Sequence, residues 1–341
     1  MQDLNPDPAP LSRRAGAGLL LDTLEGPIRH ALLHWALDCG VFDLSAEPQD
    51  EAALAARLGL PPARLGIALR ALVAAGFMMR EGAGFRTSPD ILPFVAEGSP
   101  QNMVATLRGM AQTRHAGLSQ IADLIGGTAA PAGPRLFDDA HWDGNHRALA
   151  GFHAAIAADA TLPCLTALPE WPKVRHLLDV GPGSAVLARR LLAQRPDLAI
   201  TLFDLPPVAQ RIAQEAADLP LSVIGGNYNN ALPEGLFDLI WCSMTLYFHD
   251  QGLPALVARL ADRLAPGGVL LSFHEALEAD RTAPAEHVIG RLMPALRQGD
   301  VSFAAGQMAQ AMAVAGLIRA ESRILSTPFG RFRLDAARRE A

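Results

Sequence analysis

The stretch that decides the fold is His176-Leu-Leu-Asp-Val-Gly-Pro-Gly-Ser-Ala-Val-Leu-Ala-Arg-Arg-Leu-Leu192, followed by Ala199-Ile-Thr-Leu-Phe-Asp204. The apolar run at 176–180 predicts a buried parallel strand, and a Gly-Pro-Gly turn follows it. Apolar residues at helical spacing then predict a helix from residue 186, and residues 199–203 predict a second strand. Strand, glycine turn, helix, strand and acid together indicate a doubly wound α/β domain.

The glycine turn and the acid indicate a nucleoside site. Gly181 and Gly183 allow the backbone to approach a ligand closely, and the following helix adds the positive end of its dipole. Asp204 lies roughly 20 residues further on, where a ribose-binding acid is expected. The third glycine of a dinucleotide site is missing, so S-adenosylmethionine (SAM) fits better than NAD. The alternative is an α/β turn that binds no ligand.

Length and composition limit the possible classes of protein. A chain of 341 residues predicts two domains. The net charge of −6 argues against a nucleic-acid or anionic-membrane partner. We expect no secretory signal and no apolar run near the ~18 residues of a membrane span. The three cysteines are too scattered for a disulfide framework or a zinc site, so we expect a cytoplasmic protein without a metal.

Residues 15–98 predict a winged-helix domain. The expected order is a helix over 18–39 that breaks at Gly26-Pro27, two helices over 50–58 and 61–75, and a hairpin over 77–87. A DNA reader needs basic residues, but the helix at 63–75 carries only Arg64 and Arg70. Because the helices offer more apolar surface than a small module can bury, we expect a homodimerisation domain instead.

Two further regions follow. Residues 99–170 predict a helical region, with one helix over 101–125, a loop over 126–134 and two helices over 143–168. Its many histidines and arginines suit a polar substrate pocket. Residues 171–335 predict strands alternating with helices throughout, hence a doubly wound parallel sheet, with a final long helix over 303–315 and a last strand over 318–327.

Residues of about 15–335 resemble the large SAM-dependent O-methyltransferases that carry an N-terminal winged-helix dimerisation domain. This family includes plant phenolic and acetylserotonin methyltransferases and bacterial antibiotic and pigment methyltransferases. The matching stretches, in chain order, are Cys39-Gly-Val-Phe-Asp43, Leu54-Ala-Ala-Arg-Leu-Gly-Leu60, the glycine turn at 179–185, Phe203-Asp-Leu-Pro206, Gly225-Gly-Asn-Tyr228 and Leu264-Ala-Pro-Gly-Gly268.

The resemblance implies a Rossmann-like SAM domain and assigns roles to several residues. The glycines would pass the methionine part of SAM, and Asp204 would take the ribose hydroxyls. Asn227 stands where the family usually has Asp and would accept from the adenine amino group, while Tyr228 would cover the ring. The full cofactor set is Asp179, Gly181, Gly183, Asp204, Leu205, Asn227, Tyr228 and Ser243. The acceptor pocket would contain Phe152, His153, Ile156, His287 and Met293.

The catalytic position is ambiguous in this chain. Many relatives place a His base after the strand that is predicted here over 237–242. His249 is followed by Asp250 as in those relatives, but the loop length favours Tyr247, as in bacterial carotenoid and bacteriochlorophyll methyltransferases. His274 and Glu275 fall where the family has an acid, and a further acid near 305–307 is missing. The candidates are therefore His249, Tyr247, His274 and Glu275.

Three functions remain open at this point. The first is SAM-dependent methylation of a hydroxyl on a small secondary metabolite, which calls for a base to remove the proton. The second is S-methylation of a thioether acid, which needs no base, or C-methylation of a pigment. The third is a non-catalytic SAM-binding regulatory protein, suggested by the winged helix. In each case we expect small-molecule ligands, a homodimer, no nucleic acid and no membrane.

Overall fold

The computed structural model describes residues 13–128 and 139–341. The chain divides into two compact units, Met1–Asn102 and Met103–Ala341. Residues 1–12, at the start of the chain, and most of the predicted loop at 126–134 lie outside the described residues. The predicted domain limits, 15–98, 99–170 and 171–335, stay predictions.

The first unit is helical with one short hairpin. Leu54, Leu65, Leu69 and Leu72 form its buried apolar centre. The Asp50 carboxylate accepts from the Ala53 backbone N–H at 2.7 Å and so caps the N-terminus of α3. In chain order its elements are α1 (Arg13–Cys39), α2 (Val41–Leu44), α3 (Glu51–Leu58), α4 (Pro62–Ala74), β1 (Met78–Glu81), β2 (Gly84–Thr87) and α5 (Leu92–Val95).

The predicted break in the first helix is wrong. Helix α1 runs unbroken from Arg13 to Cys39 with Pro27 inside it. Pro27 removes one backbone hydrogen bond, but the residues around it are exposed, so water can satisfy the carbonyl that loses its donor. The apolar side chains of Leu20, Leu24 and Ile28 are also exposed on this helix.

The second unit begins with helices that differ from the expected ones. The single helix expected over 101–125 is divided, because Gly117 takes a left-handed φ of 81° after α6. A π-helical turn, His153–Ala157, lies between the next two helices. The helices are α6 (Val104–His115), α7 (Ile121–Ile125), α8 (Asp139–Phe152) and α9 (Ala158–Thr166).

One helical segment contradicts the expectation that no apolar run approaches the length of a membrane span. Within the described residues, the helical segment Asn145–Thr166 is long and apolar enough to cross a membrane by length and composition. Core helices of soluble proteins pass the same test, and Cys164 and Leu165 of this segment pack into the apolar core. The segment is therefore weak evidence for a membrane span.

The rest of the second unit is an α/β sheet of seven strands in the order β5-β4-β3-β6-β7-β9-β8. Apolar residues alternate between two clusters, so the sheet is packed on both faces: Leu177 belongs to one cluster and Leu178 to the other. The elements are β3 (His176–Val180), α10 (Val186–Gln194), β4 (Ala199–Asp204), α11 (Pro206–Glu215), β5 (Ser222–Gly225), β6 (Phe237–Ser243), α12 (Leu253–Asp262), β7 (Leu264–Glu275), α13 (Ala285–Gln298), α14 (Gln307–Val314), β8 (Ile318–Thr327) and β9 (Gly330–Arg338).

The sheet is mainly but not wholly parallel. Strands β3 to β7 pair in parallel, whereas β9 pairs antiparallel with both β7 and β8. The prediction of alternating strands and helices to the end of the chain is therefore wrong for the last hairpin. The final helix is also shorter than expected, at Gln307–Val314. Strand order reverses between β3 and β6, which places the ligand crevice outside their carboxyl ends.

Candidate functional site

The glycine turn after β3 is a cradle that side chains would fill. Gly181 and Gly183 have left-handed φ values of 68° and 64°. A Cβ on Gly181 would collide with the side chain of Thr245, and a Cβ on Gly183 would lie 3.2 Å from Cδ1 of Leu149. Glycine is therefore required at both positions by backbone conformation and by space.

Asp204 is tied to this cradle. Its Oδ2 accepts from the Gly183 N–H at 2.9 Å, and its Oδ1 accepts from the Leu205 N–H at 2.7 Å. Burial raises the pKa of Asp204 to about 6, although the two backbone donors act in the opposite direction. Each carboxylate oxygen keeps a second acceptor site, so the group can still receive hydroxyl hydrogen bonds.

Asp179 supplies a second carboxyl group beneath the turn. It is 4% exposed, and its Oδ1 has no hydrogen-bond partner within the described part of the chain. Burial, and then the neighbouring Asp204, raise the pKa of Asp179 well above its usual range. It lines a cavity together with Ser184 and Ser243. An unpaired buried carboxyl atom at a cavity suits a ligand with a cationic group.

The π-helical turn forms another wall of the cavity that Asp179 lines. His153 begins this turn, and its Nδ1 lies 2.7 Å from Oγ of Ser184. Burial lowers the pKa of His153 to about 4, with a further contribution from His146, so the ring is neutral near pH 7. Phe152 packs edge-on against Phe329 at 5.0 Å. Of the predicted acceptor residues, His153 lies beside Gly183 of the cradle, Phe152 packs on Phe329, and Ile156 is partly buried in the same turn.

The segment after β5 is joined to the loop after β6. The Tyr228 hydroxyl donates to the carbonyl of Thr245 at 2.9 Å, and burial raises the pKa of Tyr228. The Asn227 side-chain oxygen accepts from the backbone N–H of Asn229 at 2.8 Å, so a bond from adenine would use its second acceptor site. These contacts put Asn227 and Tyr228 at the same edge of the sheet as the cradle.

Of the four predicted catalytic residues, the structure brings Tyr247 and Glu275 together. The Tyr247 hydroxyl donates to Oε2 of Glu275 across the carboxyl ends of β6 and β7. Nη1 of Arg291 lies 2.8 Å from Oε1 of the same carboxylate, and its guanidinium lies 4.7 Å from the centre of the Tyr247 ring. Tyrosine, glutamate and arginine therefore form one connected group.

The two histidines make no hydrogen bond to the side chains of that pair, although both contact the Phe303 ring that also packs against Tyr247. The His249 ring is stacked on Phe303 at 6.4 Å, and its Nδ1 is buried without a partner among the described residues. His274 is 2% exposed, and its Nε2 lies 2.9 Å from Oδ2 of Asp335 inside the sheet. The hydrogen bonds of His274 are thus used between β7 and β9.

His287 and Met293 lie on α13. Nε2 of His287 lies 2.6 Å from the Arg331 carbonyl, so this predicted pocket residue contacts the start of β9. Met293 is 4% exposed. In the described part of the chain no group of three or more His, Cys, Asp and Glu side chains could hold a metal.

Sequence reasoning did not identify Arg291, Phe303, Thr245 or Asp335. Arg291 follows His287 by one helical turn, so its position on the same helix was an available signal. Phe303 packs against Tyr247 at 4.9 Å as well as against His249. Nothing in its sequence context indicates that contact.

The residues present fit SAM. The glycine cradle allows a ligand to come close to the protein backbone. Asp204 presents a carboxylate for a ribose, and the unpaired Oδ1 of Asp179 matches the cationic end of SAM. Among these residues, Asp204, Asn227 and Tyr228 would hold the nucleoside, and Asp179, Gly181, Gly183 and Ser243 would hold the amino-acid end. When bound, SAM supplies an electrophilic methyl carbon on a sulfonium sulfur.

Known proteins that are similar to this chain include methyltransferases. Residues 177–268 match the family model described as a methyltransferase domain. The chain is 27% identical over 280 residues to demethylspheroidene O-methyltransferase of Cereibacter sphaeroides, covering 76% of this chain and 70% of that protein. It is 27% identical to the tetracenomycin polyketide synthesis 8-O-methyl transferase of Streptomyces glaucescens, covering 75% and 78%.

Solved structures show the same fold. Human N-acetylserotonin methyltransferase in complex with SAM superposes with a TM-score of 0.78 at 20% identity, covering 98% of this chain and 100% of that one. An O-methyltransferase family protein from Burkholderia thailandensis gives a TM-score of 0.76 at 21% identity, covering 97% and 99%. The predicted Rossmann-like α/β class is confirmed.

Proposed function

Because the chain belongs to the SAM-dependent methyltransferase family, we propose that it transfers the methyl group of SAM to a hydroxyl group of a small secondary metabolite. The observation that carries the proposal is the glycine cradle with Asp204 hydrogen-bonded to it. The named relatives are O-methyltransferases, which favours an oxygen acceptor.

Methyl transfer is an in-line displacement, so the chain must align its substrates and exclude water. Asp204 would fix the ribose, and Tyr228, held by its bond to the Thr245 carbonyl, would cover the adenine ring. Phe152 and Phe329 would provide an apolar wall on the acceptor side. Such a site contributes mainly by positioning and by keeping competing nucleophiles out.

A hydroxyl acceptor must also lose a proton, and the Tyr247–Glu275 pair suits that task. The Glu275 carboxylate accepts a hydrogen bond from the Tyr247 hydroxyl, and the Tyr247 oxygen can itself accept a hydrogen bond from a substrate. A thioether acceptor has no proton to lose and would leave this pair without a chemical task. The pair therefore favours a hydroxyl over S-methylation of a thioether acid, whereas the O-methyltransferase relatives favour it over C-methylation of a pigment.

The homodimer is part of the same proposal. Leu20, Leu24 and Ile28 recur every four residues and lie exposed along one face of α1. A contiguous exposed apolar patch marks an interaction site, and a second copy of the winged-helix module would cover it. A DNA partner is disfavoured, because Arg70 of α4 faces Glu51 at 3.7 Å. The free thiols of Cys39, Cys164 and Cys242 suit a cytoplasmic protein.

The function can be tested with SAM that carries tritium in its methyl group. The purified protein is incubated with fractions of an extract from cells that encode it, and organic-soluble label is measured. Mass spectrometry of the labelled product should show a gain of one methyl group on oxygen. Tight SAM binding without label transfer to any fraction would favour a non-catalytic SAM-binding regulatory protein. Label on sulfur or carbon would favour the other acceptors.

A further inference from the structure

Arg291 contacts both members of the Tyr247–Glu275 hydrogen bond. Its Nη1 lies 2.8 Å from Oε1 of Glu275, while Oε2 of the same carboxylate accepts from the Tyr247 hydroxyl. The guanidinium carbon lies 4.7 Å from the centre of the tyrosine ring. One arginine on α13 thus links the loop after β6 to the end of β7.

The buried Tyr247–Glu275 pair needs the positive charge of Arg291. Tyr247 is 6% exposed and the Glu275 side chain is 14% exposed. A carboxylate with so little water is costly unless an opposite charge is close, and Arg291 provides one. The contact is an ion pair, because Nη1 of Arg291 makes no hydrogen bond within the described residues, so Arg291 holds Glu275 by charge and by its own packing on the Tyr247 ring.

The group stands next to the predicted cofactor cradle. Thr245 lies against Gly181, and its carbonyl accepts from the Tyr228 hydroxyl. Tyr247 is two residues further along the same loop, within the 3-10 turn Leu246–Phe248. Its phenolic oxygen therefore belongs to the carboxyl edge of the sheet, where ligands of such folds bind.

We propose that Arg291 is a positioning residue for the methyl transfer: it holds Glu275 so that Tyr247 can relay the acceptor proton to the carboxylate. This inference rests on the proposed hydroxyl methylation. The acceptor hydroxyl donates its hydrogen bond to the Tyr247 oxygen. Tyr247 and Glu275 then move the proton, and His249 is not needed for this step.

The step balances in atoms and charge. The acceptor oxygen forms a bond to the methyl carbon as the carbon–sulfur bond breaks, and that electron pair returns to sulfur. The acceptor proton passes to the Tyr247 oxygen, and the original Tyr247 proton passes to Oε2 of Glu275. The sulfonium charge and the carboxylate charge disappear together, and Arg291 keeps its charge throughout.

The first test reads the tyrosine directly. The chain has two tyrosines, so labelling tyrosine with carbon-13 at Cζ gives two signals, and Tyr228→Phe assigns them. Arg291→Gln should move the Tyr247 signal in the direction in which Glu275→Gln moves it, and Arg291→Lys should move it less. The matched control is Arg331→Gln, which breaks another arginine–glutamate pair, between Arg331 of β9 and Glu286 of α13 at 3.4 Å. This control should leave the Tyr247 signal in place.

The second test separates positioning from cofactor binding. Initial rates are measured with tritium-methyl SAM and the extract fraction that the wild-type protein methylates. Arg291→Gln should lower kcat by about 10- to 100-fold, less than most of the ~10²–10⁴ range of acid–base effects because Tyr247 and Glu275 remain, and Arg291→Lys should recover part of it. The dissociation constant for SAM, measured by calorimetry, should stay within about twofold, because Arg291 acts on Tyr247 and Glu275.

The two tests give distinct failures. An unchanged Tyr247 signal in Arg291→Gln, or an unchanged kcat, would overturn the inference while leaving the methyltransferase activity intact. A wild-type protein that neither binds SAM nor transfers label would overturn the proposed function instead. In that case the carbon-13 signals still decide whether Arg291 positions the pair.

Discussion

Asp204→Asn tests the cofactor site most directly. The substitution keeps the size of the side chain and removes its charge. The wild-type carboxylate accepts from two backbone donors, Gly183 and Leu205, and would also accept from the ribose hydroxyls. An amide has one acceptor oxygen, so it cannot serve both donors and the ribose in the same way.

The expected magnitude follows from hydrogen bonding and from the pKa. Hydrogen bonds to a charged group contribute about 1.5–3 kcal/mol each, so the loss of one ribose bond alone predicts SAM binding at least about tenfold weaker at pH 7. The pKa of Asp204 is raised to about 6 in the free protein. If SAM binds the ionised form, wild-type affinity should fall about tenfold from pH 7 to pH 5, or about 1.4 kcal/mol.

The sign of this pH effect is specific. Ionised Asp204 favours SAM, so affinity is full above pH 6 and is lost as the pH falls through 6. In Asp204→Asn the weakened affinity should lack this component. The assay is isothermal titration with SAM at several pH values between 5 and 8. A thermal melt of each variant without SAM verifies that it is folded.

Asp218→Asn is the matched control. It removes the same charge from an exposed aspartate, which pairs with Arg189 at 2.6 Å outside the cradle. It should leave both the SAM affinity and its pH dependence unchanged. If Asp204→Asn binds SAM within twofold of the wild type at pH 7, or keeps the full fall towards pH 5, the assignment of Asp204 is wrong.

Three further predictions concern other parts of the chain. Gly181→Ala should abolish SAM binding and lower the melting temperature, because the added Cβ collides with Thr245 and the φ is left-handed; calorimetry and a thermal melt measure both. Tyr228→Phe should lower the free energy of unfolding by about 1 kcal/mol through loss of its bond to the Thr245 carbonyl, and urea unfolding measures it, with no change counting against that role. In light scattering the wild type should be a particle of about 72 kDa, twice the 36.2 kDa chain mass, and Leu24→Glu should convert it into the monomer. A wild type that is already monomeric would refute the dimer.

The nucleoside half of the site could be predicted from the sequence, because local rules determine it. A strand, a glycine turn, a helix and a second strand form one crossover unit, and adjacent parallel strands end at the same edge. Val180 pairs with Phe203 in the sheet, so the turn after β3 meets Asp204 at the end of β4. The spacing in sequence therefore translates directly into the hydrogen bond between Gly183 and Asp204.

Strand β8 lies where a strand was predicted, over 318–327, whereas β9 was not predicted, because its apolar residues alternate with charged residues, some of which are also buried. Asp335 and Arg338 are buried in it, each compensated by a distant partner: His274 for Asp335, and Glu170 for Arg338. Buried charges of this kind look like surface residues in the sequence. Only the tertiary contacts show that they are paired inside.

The choice between Tyr247 and His249 was also left to the tertiary structure. The two side chains are two residues apart in one loop, and residue type alone favours histidine as a base. The 3-10 turn at Leu246–Phe248 and the end of β7 bring Tyr247 to Glu275, and the packing of α13 adds Arg291. Contacts between segments that are far apart in sequence follow from how the elements pack, whereas the cofactor motif lies within one crossover unit. The sequence therefore determined the contacts of the candidate cofactor half of the site, and the fold decided which residues meet at the candidate acceptor half.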